Sequence, residues 1–179
     1  MVVRICRDPA PSQRSPRTHT YDLPTVPLIR SHQVTHMDLK VGQQAHRQIA
    51  VTHDTVKAYA ELTGDYNPLH FDKEFAGRTR FGRLISQGGI ATGLLHALVA
   101  MDMPGAGTVF MQQEWHFPAP VYVGDTITAE ATVKSINPRH PVATIDFRIT
   151  NQDGVEVLTG EAVVMQMPLD PAEPSGDPS

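Results

Sequence analysis

The seven residues Gly64-Asp65-Tyr66-Asn67-Pro68-Leu69-His70 place a carboxylate and an imidazole five positions apart, with a proline between them. Pro68 has no N–H and disfavours helical backbone at Asn67, so the chain must turn between Asp65 and His70 rather than run on as one helix. A turn of that kind brings the two side chains around one water molecule, one group accepting its proton while the other holds and later donates, which is general acid–base chemistry. A bland explanation competes with this one. Gly, Asp, Asn and Pro are ordinary turn formers, and an isolated Asp-x-Asn-Pro is more often structural than catalytic.

Other chemistries have less to work with. Ser86 is not part of a G-x-S-x-G elbow and reads as a helix N-cap, and the single cysteine, Cys6, lies far from the periodic part of the chain, so a covalent nucleophile is not expected. The nine histidines form neither H-E-x-x-H nor a Cys/His pattern, and no metal is expected. His96, on a mostly apolar helix, reads as a hydrogen-bonded core residue. Lys73, Arg78, Arg80 and Arg83 gather after the motif. They either face a nucleotide phosphate or form a solvated basic loop, the commoner outcome. Trp115 and Phe117 read as sheet core or dimer contact, and Gly124-Asp125 as a hairpin turn.

The elements that must position the motif emerge from composition and period. With 179 residues, 40% of them hydrophobic, the chain holds one domain with a real core. Residues 1–36 are rich in Pro, Arg, Ser and Thr without a sustained period, and 168–179 combine prolines with acidic residues, so both read as disordered tails around a domain at 37–167. A net charge of −4 lacks the basic footprint of a nucleic-acid binder. No apolar run approaches the roughly 20 residues of a membrane helix, and one cysteine permits no internal disulfide; a cytoplasmic, membrane-free protein is expected.

Within the domain, Gln44 to Val51 reads as a short strand. A helix capped by Thr52 or Asp54 runs to about Leu62 and ends at Gly64. Residues 65 to 84 read as a long irregular connection, and Ser86 to Met101 as a helix buried nearly all round. After it the period becomes two. Val109, Met111, Trp115 and Phe117, then Ile127, Ala129, Ala131 and Val133, then Ala143, Ile145, Phe147 and Ile149 form apolar faces of one-sided strands, and a last strand runs from Val155 to about Met165. The class is α+β: a helix with no polar face needs a sheet curled around it, and the leftover strand edges favour a homodimer.

Leu62-Thr63-Gly64-Asp65-Tyr66-Asn67-Pro68-Leu69-His70, with Ala76, resembles the signature of the (R)-specific enoyl-CoA hydratases and the wider MaoC-like dehydratases. The similarity continues through Gly82-Arg83-Leu84-Ile85, Gly88, Pro104-Gly105-Ala106-Gly107, Phe117-Pro118-Ala119-Pro120-Val121, Gly124-Asp125 and Gly160-Glu161-Ala162, covering roughly Val41 to Met165. The resemblance implies a single hot-dog domain, a central helix wrapped by a curved antiparallel sheet, with an overhanging segment that carries the motif. It implies hydration of a trans-2-enoyl-CoA to an (R)-3-hydroxyacyl-CoA, or the reverse dehydration, with a coenzyme A thioester as substrate and no cofactor.

By the same resemblance Asp65 and His70 bind and split the water, and Asn67 shapes the loop within the site. Gln87, Gly88 and Gly89 open the central helix. An N–H there, at Gly88, is suited to stabilise the enolate on the thioester oxygen, with Gln87 and Gly89 expected to contact substrate. Glycine at these positions serves close approach either of substrate or of packed neighbours. Similar proteins commonly carry His immediately before this glycine; Gln87 departs from that pattern. Two alternatives stay open: a hot-dog acyl-CoA thioesterase, and a non-catalytic acyl-thioester-binding subunit.

Overall fold

The computed structural model describes residues 37–167, and both expected tails, 1–36 and 168–179, lie outside the described residues. The elements in chain order are β1 (Gln44–Ala50), α1 (His53–Thr63), α2 (Pro68–Phe71), α3 (Lys73–Gly77), α4 (Gly88–Met101), β2 (Thr108–His116), β3 (Thr126–Ile136), β4 (Val142–Asn151) and β5 (Glu156–Gln166). All five strands form one antiparallel sheet in the order β1-β3-β4-β5-β2. This is the α+β hot-dog arrangement, with α4 packed on β1, β2 and β3.

The alternation in β3 and β4 produces the expected one-sided strands. Ile127, Ala129, Ala131 and Val133 are buried along β3, and Ala143, Ile145, Phe147 and Ile149 along β4. Their partners across the ladders, such as Ala131 opposite Phe147 and Val133 opposite Ile145, share one face of the pleat. Ile90, Ala91, Leu94, Leu95, Leu98 and Val99 of α4 fill that face. Each large side chain fully buried here, Leu95, Leu98, Ile127 and Ile145 among them, contributes about 1.5–3 kcal/mol.

Three expectations are corrected. β2 was predicted to turn Val109, Met111 and Phe117 inward with Trp115, but these three are exposed, while Phe110 and Trp115 pack on the core. Phe110 and Trp115 are an odd number of residues apart, and an irregular register between Phe110 and Gln112 inserts the extra residue that puts both on one face. Next, α4 starts at Gly88 with Gln87 as N-cap, not Ser86; the Ser86 N–H is taken by the Val121 carbonyl at 2.8 Å in a short ribbon beside Val121–Val123. Finally, α4 is not buried all round. Gly93, His96, Ala100 and Met101 form an exposed stripe, and His96, expected in the core, lies outside with its ring 4.6 Å from that of Phe110. Among the described residues no helix is long and apolar enough to cross a membrane.

Candidate active site

The motif is assembled by successive caps. Thr52 and Thr55 form a reciprocal capping box at the start of α1, and Gly64 ends the helix in the left-handed region (φ 79°), its N–H returning to the Ala60 carbonyl at 2.8 Å. Asp65 follows at once. Its Oδ1 accepts the Asn67 N–H at 3.3 Å, which bends the chain into an Asx turn. Asn67 then caps α2, accepting the Leu69 N–H at 3.0 Å, and Pro68 takes the first helical position, where its missing N–H leaves no unmatched partner. The connection expected to be irregular from 65 to 84 therefore contains two short helices, α2 and α3, with Asp72 capping the second through Phe75 N–H at 2.9 Å.

This geometry turns His70 back toward Asp65. His70 is buried, and its Nδ1 lies 2.8 Å from the Ile85 carbonyl. A carbonyl only accepts, so Nδ1 carries a proton there, and Nε2 is the nitrogen that faces Asp65. Asp65 Oδ2 lies 3.7 Å from that Nε2. The separation is too long for a direct hydrogen bond. It suits one water whose two O–H groups donate to the imidazole and to the carboxylate, both acceptors when the ring is neutral. Asp65 is the more open of the two, with 44% of its side chain accessible against 8% for His70, so the pair has a buried imidazole and a solvent-facing carboxylate.

The mouth of α4 stands beside this pair. Gly88 lines a cavity of about 260 Å³ whose walls include Ile85, Ser86, Ala91, Phe117 and Val121. Ile85 thus serves both places, one face in the cavity and its carbonyl on His70. Asp65 and His70 are not themselves part of that lining. A methyl at residue 88 would point at the Phe117 ring at 3.4 Å, an ordinary contact, so packing alone does not require glycine there; the bare Cα leaves the cavity open against the helix N–H groups.

Gln87 and Gly89 occupy other roles than the sequence implied. Gln87 is 2% exposed and turned away from the cavity; its Nε2 donates to the Val56 carbonyl of α1 at 3.2 Å and to the Asp65 carbonyl at 3.4 Å. It ties the Asp65 loop to α1 and α4. Its Oε1 is buried without a partner among the described residues. The bare Cα of Gly89 makes room for Tyr59, whose hydroxyl a Cβ there would overlap unless that ring moved. Sequence reasoning also missed Ile85, which fixes the His70 tautomer through a backbone carbonyl that no side-chain pattern reveals. Phe117, assigned to core or dimer contact, is a cavity wall, together with Val121. Among the described residues no three His, Cys, Asp or Glu side chains converge as metal ligands would.

Comparison with known proteins agrees with this architecture. Residues 35–154 match the family described as MaoC like domain. The (R)-specific enoyl-CoA hydratase of Aeromonas caviae is 40% identical over 126 residues, spanning 70% of this chain and 94% of that protein. The 3-hydroxybutyryl-CoA dehydratase of Methylorubrum extorquens is 35% identical over 137 residues, 76% of this chain and 87% of that one. The solved structure of the A. caviae (R)-hydratase superposes with a TM-score of 0.70 at 39% identity, covering 73% of this chain and 98% of that chain. The chain is a member of the MaoC-like domain family, an enzyme of the hydratase and dehydratase kind built on the hot-dog fold.

Proposed function

We propose that this enzyme adds water to a trans-2-enoyl-CoA to give an (R)-3-hydroxyacyl-CoA, and catalyses the reverse dehydration, with Asp65 and His70 as the acid–base pair. The observation that carries the reading is His70 Nε2 facing Asp65 Oδ2 at 3.7 Å, with the His70 Nδ1–H held by the Ile85 carbonyl. Water held between them gives a proton to Nε2 as its oxygen bonds to C3 of the substrate. The electron pair of the C2–C3 double bond moves to the thioester oxygen as an enolate. The N–H groups at the start of α4, reached past the bare Gly88, stabilise that oxygen. The imidazolium, held beside the Asp65 carboxylate, then returns the proton to C2 and the thioester re-forms. Water alone balances the reaction, so no cofactor is invoked. Because one pair serves both ends of the double bond, H and OH arrive on the same face.

The acting species we infer is a homodimer in the cytoplasm. β2 is an edge strand of nine residues with Val109 and Met111 exposed, next to the exposed stripe of α4, and an unprotected edge of that length favours pairing with a second copy. The test is hydration of crotonyl-CoA, followed by loss of enoyl-thioester absorbance, with chiral analysis of the product. An (R)-alcohol without thiol release is expected. An (S)-alcohol overturns the facial assignment, and free thiol points to hydrolysis of the thioester instead.

A further inference from the structure

The four cations after the motif do not act alike. Arg78 is neutralised by Glu74 at 2.8 Å on α3, and Arg80 lies over the Phe81 ring at 5.1 Å beside the substrate cavity. Lys73 and Arg83 instead converge with His53 on a second cavity of about 260 Å³, floored by Leu84 and Val123. Among the described residues no carboxylate lies within ion-pair distance of His53, Lys73 or Arg83. Asp72, the neighbour of Lys73, is turned to cap α3.

Arg83 is held in place. Its guanidinium lies 3.8 Å above the Tyr122 ring centroid, and the Tyr122 hydroxyl donates to the Phe81 carbonyl at 3.3 Å. That clamp sets the plane of a group suited to paired hydrogen bonds with phosphate oxygens, with Lys73 as a mobile point charge beside it.

We propose that His53, Lys73 and Arg83 form a binding site for the phosphate groups of the coenzyme A part of the substrate. The inference rests on the enoyl-CoA reading above and adds the residues that hold the phosphates of that carrier. The placement fits. The cavity with Gly88 and this one flank a single ribbon, Leu84–Ser86 against Val121–Val123, whose Ile85 carbonyl holds His70. His53 begins α1 and Asp65 follows its end; eleven residues of helix span about 16 Å. That distance is comparable to an extended pantetheine arm between thioester sulfur and phosphate.

The experiment compares crotonyl-CoA with crotonyl-N-acetylcysteamine, which keeps the thioester and lacks phosphate, on wild type, Lys73→Glu and Arg83→Gln. Each variant is expected to raise KM for crotonyl-CoA by about tenfold, from loss of charge-assisted bonds, while KM for the truncated thioester moves less than twofold. Adenosine 3′,5′-bisphosphate should bind wild type by calorimetry and bind Lys73→Glu at least tenfold more weakly. This binding readout is independent of turnover. Absence of hydration of either thioester by wild type sinks the hydratase reading, whereas the phosphate site stands or falls on the calorimetry. Lys73 is exposed on a short helix, so Lys73→Glu stays interpretable if Arg83→Gln unfolds. Equal KM changes for both thioesters, no change for either, or a rise confined to a crotonyl-acyl carrier protein overturns the proposal.

Discussion

At the scale of single residues, the Asp65 loop depends on a side chain packed behind it. Gln87 joins α1, α4 and the Asp65 loop through one amide, and Gln87→Leu removes its bonds to the Val56 and Asp65 carbonyls. The expected loss is about 1–3 kcal/mol in a denaturant titration, with kcat falling more than KM rises because Asp65 loses its position. Gly89→Ala forces Tyr59 to move, and strain of that kind is on the order of 1–3 kcal/mol. Tyr59→Phe, which removes the overlapping hydroxyl, should recover part of it; full additivity in that double-mutant cycle would show that the two residues do not meet. Asp65, Asn67 and His70 were legible because a proline between an acid and a histidine forces a turn. Ile85 was not, since it acts through its backbone, and position at a helix mouth did not say that the Gln87 side chain turns to Val56 and Asp65.

At the scale of elements, strands buried on one face announced themselves and the edge strand did not. β3 and β4 lie between neighbours, so one face must be apolar and period two survives. β2 has a neighbour on one side only, and its irregularity near Met111 reverses the parity that simple alternation presumes. Short helices such as α2 and α3 have too few residues to show a period, and caps at Asn67 and Asp72 were their only sequence trace. One contact between elements carries a pH prediction. Arg47 on β1 donates to Asp102 at the end of α4 at 2.6 Å and 3.0 Å, and this hydrogen bonding holds the Asp102 carboxyl below the usual range. A depressed folded-state value means that the pair's stabilisation is present above the ordinary carboxylate range and is lost as pH falls through the folded value. Asp102→Asn should therefore melt slightly below wild type at neutral pH, by the small margin of a surface pair, and the gap should close in acid; a gap that widens in acid would exclude this pair as its source.

At the scale of the whole molecule, the β2 edge carries two exposed apolar side chains, Val109 and Met111, available to a second copy. Met111→Lys is expected to shift sedimentation from dimer toward monomer without altering the circular dichroism of the fold, and an unchanged dimer would place the contact elsewhere. The catalytic claim is likewise collective, because a water shared by two acceptors is lost when either is removed. Turnover of crotonyl-CoA by Asp65→Asn, His70→Gln and the double variant tests that sharing most directly. Groups that act as a unit are grossly non-additive, so each single substitution should lower kcat by at least about a thousandfold and the double variant should be little worse than either. Near-wild-type turnover in one single variant, or losses that multiply in the double, would contradict one water held by both side chains.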